Sequence, residues 1–211
     1  AVTTPLLTKS DGKKFGKSEE GNIWLDPKKT SPYKFYQFFI NVDDAMVPNL
    51  MRYFSLKSKE EIEAIEEEYK ENPREYKKIL AEEMTKNIHS AEAFESVMNV
   101  SEILFNKKAS ADKLKSLSVE EFETIAMEIP SFKISKDVFG EKVDIIDLIA
   151  ELTSIVSSKS DARRAIKGNA LSINKEKVTD FDYKVKSDDL IHDRFLMVEN
   201  GKKNKFIVEV K

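Results

Sequence analysis

Four lysines lie within eleven residues near the start of the chain, in the segment 8–18. They are Lys9, Lys13, Lys14 and Lys17, and the same segment contains one acid, Asp11. Two glycines, Gly12 and Gly16, make the backbone pliable and allow it to approach a ligand closely. A cationic loop of this kind can close over a polyphosphate and neutralise the charge that develops there. The composition alone also fits a solvated surface turn, since runs of charge are usually exposed.

The end of this segment, Gly16-Lys17-Ser18, has the last three residues of the phosphate-binding P-loop pattern G-x-x-x-x-G-K-[ST]. That pattern requires glycine five positions before Gly16, where this chain has Asp11. It also requires a helix after Ser18, but residues 19–22 begin no apolar helical repeat. The P-loop is therefore excluded.

The five residues Lys14-Phe-Gly-Lys-Ser18 resemble the KMSKS signature of class I aminoacyl-tRNA synthetases, in the KFGKS form typical of bacterial tyrosyl-tRNA synthetases. The resemblance continues through Glu19-Glu-Gly-Asn-Ile-Trp-Leu-Asp26, Lys29-Thr-Ser-Pro-Tyr-Lys-Phe-Tyr-Gln-Phe-Phe-Ile-Asn41 and Asp43-Asp44, and it extends along almost the whole chain. Phe15 and Gly16 depart from the general class I consensus and agree with the tyrosine-specific form.

This resemblance implies roles for the loop. Lys14 and Lys17 are expected to be catalytic, stabilising the α-phosphate and the departing pyrophosphate of ATP. The ATP-binding residues implied in the same way are Lys14, Phe15, Gly16, Lys17 and Ser18. Magnesium would arrive with ATP, and no metal-ligand set is visible in the chain.

Composition excludes several other classes of protein. The chain has 211 residues, of which 40% are hydrophobic and 35% charged, and this is typical of a globular protein. Its net charge of −3 predicts no global attraction to nucleic acid, so an RNA contact requires a local patch. There is no cysteine, and the two isolated histidines, His89 and His192, build no metal site. No apolar run reaches membrane-spanning length, so a cytoplasmic protein is expected.

A class I synthetase also needs a nucleotide-binding fold with a His-x-Gly-His-type signature, which this sequence does not contain. We therefore expect the chain to be the C-terminal part of a larger enzyme, with residues 1–31 ending its catalytic domain. Alone it is predicted to be inactive and to bind no ATP.

Helix signals dominate after residue 31. Ser31 before Pro32 is a typical helix start, and Ser58-Lys-Glu-Glu61 and Ser118-Val-Glu-Glu121 are capping boxes. Helices joined by short connections predict an all-α domain over residues 32–138, which the resemblance identifies as the helical anticodon-binding domain. Trp24, just before it, is predicted to be a core residue.

Six glutamates lie on the outer face of the helix that follows Ser58, and this set is named the acidic face. Its members are Glu60, Glu61, Glu63, Glu66, Glu67 and Glu68. Because these carboxylates repel phosphate, no RNA contact is expected there.

The pattern changes beyond a linker at 129–140. A helix is predicted over 143–156 and another over 159–167, the second ended by Gly168-Asn169. Strands are predicted at 170–173 and 177–178, and a hairpin at 195–198 and 205–210. The fold class is thus α+β: an all-α domain followed by a small α+β domain over 139–211.

The helix at 159–167 carries a cationic stripe formed by Lys159, Arg163, Arg164 and Lys167, which Asp161 interrupts. Its surroundings resemble the RNA-binding motif shared by a ribosomal small-subunit protein (the S-four type) and the C-terminal domain of bacterial tyrosyl-tRNA synthetases. The predicted RNA-binding residues are Lys159, Ser160, Arg163, Arg164 and Lys167. On charge alone a solvated helix face remains an equal alternative. The chain departs from the motif at Lys175, where glycine is frequent after the asparagine.

The resemblance implies tyrosine–tRNA ligase activity for the full-length enzyme, with ATP, tyrosine and tRNA(Tyr) as partners and no membrane. It implies a homodimer for that enzyme, while a monomer is one option for the present chain. The alternative is a non-enzymatic RNA-binding protein built around the last domain, with the lysine loop incidental. A purely structural helical protein ranks last, since it leaves both cationic clusters unexplained.

Overall fold

A computed structural model describes residues 22–106 and 108–211, together with Ala1, Thr3 and Leu7. The described chain forms two compact units, Ala1–Met98 and Asn99–Lys211. It contains helices and a mixed sheet, which confirms the α+β class. The predicted domain limits at residues 31 and 138 remain predictions.

The described part of the first unit contains helices and no strand. Its helices are α1 (Pro32–Ile40), α2 (Val47–Phe54), α3 (Lys59–Tyr69) and α4 (Pro73–Ile88), and it contains the start of α5 (Ala91–Phe105). The predicted start of α1 is confirmed, because Ser31 Oγ accepts a hydrogen bond from Lys34 N and proline occupies the first turn. The α3 capping box is also confirmed.

Aromatic side chains form much of the core of this unit. Tyr33, Tyr36 and Phe39 of α1 are buried, and α1 packs against α4. Trp24 is different: the residue is 47% exposed, and the ammonium group of Lys29 lies 4.4 Å from the ring centroid. The prediction of a core tryptophan was therefore wrong: Trp24 is exposed, and its ring forms a cation–π contact with a lysine.

The second unit begins within α5, which is followed by α6 (Ala111–Lys115) and α7 (Val119–Glu128). The capping box of α7 is confirmed: Ser118 Oγ accepts from Glu121 N, and the Glu121 carboxylate accepts from Ser118 N at 2.8 Å. The later helices are α8 (Lys136–Phe139), α9 (Ile145–Asp147), which continues as a π-type turn over Leu148–Leu152, and α10 (Lys159–Lys167).

Seven strands accompany these helices in the described structure. They are β1 (Ser131–Ile134), β2 (Lys142–Asp144), β3 (Leu171–Ile173), β4 (Glu176–Lys177), β5 (Lys184–Lys186), β6 (Phe195–Asn200) and β7 (Asn204–Val210). Five of them form one sheet in the order β1-β7-β6-β3-β4, and β2 pairs with β5. The predicted hairpin is confirmed as β6 and β7, which pair antiparallel from Phe195–Glu209 to Asn200–Asn204.

Two local predictions were wrong. The expected linker at 129–140 contains β1, which pairs in parallel with β7, and the short helix α8. The expected helix over 143–156 is helical only over 145–152, because residues 142–144 pair with β5 instead.

Both faces of the five-stranded sheet are covered, so β6 is buried on both sides. Leu196 and Val198 belong to a core cluster that also contains Ala162 and Ile166 of α10. On the other face, the rings of Phe195 and Phe122 of α7 stack with centroids 5.1 Å apart. The sheet thereby fixes where α10 lies, with its apolar side inward.

Candidate RNA interface

The predicted catalytic and ATP-binding residues, Lys14, Phe15, Gly16, Lys17 and Ser18, lie outside the described residues. Their roles remain predictions. The cationic stripe, in contrast, is fully described.

Helix α10 is fixed at both ends by its own sequence. At its start Ser158 Oγ accepts a hydrogen bond from Asp161 N. At its end Asn169 adopts the left-handed conformation with φ 53°, and Ala170 N donates to Ala165 O at 2.9 Å. This is the Schellman arrangement that ends many helices, with asparagine in the position usually taken by glycine. The predicted limits of this helix, 159–167, are confirmed.

Lys159, the first cation of the stripe, is already neutralised. Its ammonium group lies 2.8 Å from a carboxylate oxygen of Asp147 and 2.9 Å from one of Glu151. Hydrogen bonds to these two carboxylates raise the pKa of Lys159. A phosphate that approaches Lys159 would meet two negative charges as well, so Lys159 is poorly placed to bind phosphate.

Arg164 is held by the acid that interrupts the stripe. Its guanidinium pairs with Asp161, whose carboxylate also accepts hydrogen bonds from the hydroxyls of Ser157 and Ser158. The two serine hydrogen bonds, followed by that of Arg164, lower the pKa of Asp161. Asp161 is therefore ionised at neutral pH and competes with phosphate for Arg164.

Arg163 and Lys167 are the two cations of the stripe that remain available. Both are exposed, and neither forms an ion pair with another described residue. They lie one helical turn apart on α10, about 6 Å along the helix axis, and their like charges repel each other. A phosphate bound between them would relieve that repulsion. Ser160, also exposed, lies near the start of the helix and could add a hydroxyl donor.

The departure from the family motif at Lys175 has a structural explanation. Asn174 and Lys175 form the two-residue turn between β3 and β4, and both have positive φ, at 47° and 73°. This turn favours glycine at its second position. Here the Lys175 ammonium reaches Glu199 at 2.8 Å, and the Asn174 side chain bonds Met197 N and Asp189 O. These contacts hold the strained turn in place.

Sequence reasoning missed a buried charge cluster beside this turn. Lys175 and Lys205 both approach Glu199, and the side chains of the two lysines are only 7% and 10% exposed. Lys205 also donates to the carbonyls of Ile103 and Leu104 near the end of α5, at 2.5 and 2.8 Å. The residues are far apart in sequence, so no local pattern connects them. The cluster is structural and is not accessible to RNA.

Two features of the first unit are poor candidates for phosphate binding. The members of the acidic face lie on α3, mostly exposed, and Glu66 pairs with Arg52. A surface cavity of about 380 Å³ in the same unit is lined by Lys57, Ile79, Glu82, Glu83, Lys86 and Asn87. Its lysines are matched by acids, with Lys57 3.4 Å from Glu83 and Lys86 2.5 Å from Glu82, so phosphate has little to gain there.

Within the described ranges, no three His, Cys, Asp or Glu side chains are grouped so that they could hold a metal ion. The described helices also include none that is both long and apolar enough to cross a membrane.

Two family models match the chain. The model described as "tRNA synthetases class I (W and Y)" matches residues 1–106, and the model "Tyrosine--tRNA ligase SYY-like C-terminal domain" matches residues 121–208. Because the first match covers half of the chain, this chain belongs to the class I tRNA synthetase family of the tryptophan and tyrosine enzymes.

Curated relatives point to the tyrosine branch. A tyrosine–tRNA ligase of Bacteroides fragilis is 41% identical over 213 residues, covering 100% of this chain and 49% of the relative. Ligases of the same name from Cytophaga hutchinsonii and Bacillus pumilus are each 43% identical over 212 residues; the matches cover 99% and 100% of this chain and 49% and 48% of those proteins. The chain thus spans about half the length of the curated relatives it matches.

Among solved structures, a C-terminally truncated mitochondrial tyrosyl-tRNA synthetase of Aspergillus nidulans aligns with 40% of this chain and 25% of that chain. The identity is 32% and the TM-score 0.37, which is too low to support an argument about the fold.

Proposed function

We propose that this chain is the tRNA-binding C-terminal part of a bacterial-type tyrosine–tRNA ligase, a cytoplasmic enzyme that activates tyrosine with ATP and transfers it to tRNA(Tyr). In this proposal residues 1–31 end the catalytic domain, residues 32–138 form the helical anticodon-binding domain, and residues 139–211 form the RNA-binding domain of the S-four type. The full-length enzyme would be a homodimer and would use ATP together with Mg²⁺.

The observation that carries the RNA-binding part is the exposed pair Arg163 and Lys167 on α10. An arginine fork and a lysine ammonium suit phosphate oxygens, and contacts of this kind position RNA without reading its sequence. The net charge of −3 gives the chain no general attraction to RNA, so binding depends on this local face.

The enzymatic part is supported by the family match over residues 1–106, which include the lysine loop. Lys14 and Lys17 would neutralise negative charge at the α-phosphate and at the departing pyrophosphate. Gly16 and Ser18 would let the loop close and hold its shape. The alternative of a non-enzymatic RNA-binding protein gives this loop no role.

The RNA-binding part is tested with the 211-residue chain and a tRNA(Tyr) transcript. Replacing Arg163 and Lys167 together by alanine removes two available cations. We expect the plot of log affinity against log salt to flatten by about one to two, because each phosphate contact contributes slightly less than one. Filter retention between about 50 and 200 mM salt measures the slope.

The matched control is the double variant Lys159→Ala and Arg164→Ala, which removes the same charge from the same helix. Its cations are already paired with acids in the protein, so we expect a smaller loss of slope. If the Arg163 and Lys167 variant keeps the wild-type slope, α10 is a solvated face and the RNA site lies elsewhere.

A further inference from the structure

A second group of exposed lysines lies at the end of the sheet next to the last turn of α10. Its members are Lys177 on β4 and Lys202 and Lys203 in the turn between β6 and β7, and this group is named the turn lysines. All three are exposed. They come from two segments separated by 24 residues of sequence, and nothing in the sequence pattern connects them with the cationic stripe.

Strand register places these lysines at one end of the sheet. β3 pairs with β4 on one side and with β6 on the other, where Ser172 is opposite Lys177 and Leu171 is opposite Asn200. The turn after Asn200 therefore emerges at the start of β3. This is the point at which the chain leaves α10 and enters the sheet.

Two hydrogen bonds connect the group with the end of α10. Gly201 N donates to Ala170 O at 2.9 Å, which fixes the β6–β7 turn against the segment that joins α10 to β3. Lys177 Nζ donates to Asn169 O at 2.9 Å, two residues beyond Lys167. The turn lysines thus continue the surface that begins with Arg163 and Lys167.

The positive charge at this end of the sheet is not balanced by nearby acids. No described acid forms an ion pair with Lys177, Lys202 or Lys203. Glu176, the neighbour of Lys177, lies 3.6 Å from Lys115, and Glu199 is turned inward to Lys175 and Lys205. The excess charge is available to an anionic partner.

We propose that the turn lysines form a second phosphate-contact site, which extends the α10 face and binds the backbone of the same RNA. The inference rests on the proposed function, since it assigns further contacts to one RNA interface. The partner is a stem rather than an unpaired loop, because the face consists of lysines and one arginine and includes no aromatic ring on which a base could stack.

Arg163 and Lys167 lie one turn apart on α10, about 6 Å along the helix axis, so neighbouring phosphates of one strand can contact both side chains. Lysines in a short turn provide point charges without the planar fork of arginine, so they are suited to phosphate and not to a base edge. Binding at the turn lysines is therefore independent of sequence.

The test compares three double-alanine variants of the 211-residue chain, each of which loses two positive charges. The first replaces Lys202 and Lys203, the second replaces Arg163 and Lys167, and the third replaces Lys133 and Lys136 as a control. Lys133 is opposite Glu209 on β7, at the far end of that strand from the turn. The probes are a tRNA(Tyr) transcript and an RNA duplex of unrelated sequence.

We expect the Lys202 and Lys203 variant to bind both probes about five- to tenfold more weakly at 100 mM salt, with a slope lower by about one to two. The control keeps the wild-type slope. Circular dichroism confirms that each variant is folded.

Three results would overturn the inference. The Lys202 and Lys203 variant could keep the wild-type slope while the Arg163 and Lys167 variant loses it, and the proposed function would then stand without the second site. The control could lose as much slope as the turn variant, which would show a general charge effect. Loss of binding to tRNA(Tyr) alone, with the unrelated duplex unaffected, would show that the contact reads sequence.

Discussion

Lys205 carries its positive charge in surroundings that disfavour it. Burial and the nearby charge of Lys175 lower the pKa of Lys205 to about 8. Glu199 raises the pKa and so offsets part of this effect. Its ammonium nevertheless has a structural task, since it donates to two carbonyls near the end of α5 that have no partner within the helix. The neutral amine keeps two N–H donors, so this contact survives deprotonation.

This pKa predicts a pH dependence of stability. The native state releases the Lys205 proton near pH 8, whereas the unfolded chain holds it until about 10.5, so the unfolded state binds more protons between these values. Stability contributed by this group therefore rises with pH in that window. Relative to Lys205→Met, we expect the wild-type free energy of unfolding to gain about 2 kcal/mol between about pH 7.5 and 9.5.

Urea unfolding followed by circular dichroism at several pH values measures the difference. Lys203→Met is the matched control, because Lys203 is exposed and lies in the neighbouring turn. Its stability should follow the wild type throughout the range. Parallel pH curves for wild type and Lys205→Met would show that Lys205 is charged in both states and that burial has not changed its pKa.

At the scale of elements, nearby acids pair with two of the four cations of α10 and leave Arg163 and Lys167 without an ion pair among the described residues. Asp161 lies in the first turn, where a carboxylate is favourable to the helix, and from there it also holds Arg164. The same carboxylate repels any RNA that approaches the helix. Its removal should therefore strengthen RNA binding while weakening the helix.

We expect Asp161→Asn to bind tRNA(Tyr) more tightly, with a slope steeper by up to about one, because Arg164 then becomes available to a phosphate. The free energy of unfolding should fall, because the variant loses the negative charge that is favourable at the helix start. Asp137→Asn is the control: Asp137 is an exposed acid in the first turn of α8, away from the stripe. Equal affinity gains in both variants would indicate net charge alone.

Elements with local signals were predictable from the sequence. The end of α10 was predictable because the Gly168-Asn169 signal that stops the helix lies directly after its last residue. The capping boxes of α3 and α7 were predictable for the same reason, since each consists of residues three positions apart.

Elements that depend on distant partners were not predictable in this way. β1 exists because it pairs with β7, about 76 residues later, and residues 142–144 form a strand because β5 lies opposite. In the stripe, the pairing of Arg164 with Asp161 is visible in the sequence as an i, i+3 pair. The neutralisation of Lys159 is not, because Asp147 and Glu151 belong to a preceding element.

At the scale of the whole molecule, the chain spans about half the length of its curated relatives. The lysine loop and the proposed RNA-binding face of α10 belong to one chain, but the two proposed tasks need different amounts of surrounding structure. Phosphate binding by an exposed helix needs only the helix and its supporting sheet. Transition-state stabilisation needs the reacting groups held in place around the loop, and a loop alone cannot provide that arrangement.

The 211-residue chain should therefore bind tRNA(Tyr) but show no tyrosine-dependent exchange of pyrophosphate into ATP. Exchange by the 211-residue chain would show that the catalytic site is complete without the rest of the enzyme.

In a protein of full length, we expect exchange activity, and Lys14→Ala or Lys17→Ala should slow adenylation about 100- to 1000-fold with little change in tyrosine affinity. In the proposed function each lysine would contact charge that develops in the transition state, and losing one such contact costs roughly 3–4 kcal/mol of barrier. Rapid-quench kinetics measure the rate of adenylation, and Lys28→Ala, outside the KFGKS motif, is the control. A change of less than about threefold in both loop variants would mean that the lysine loop does not take part in the reaction.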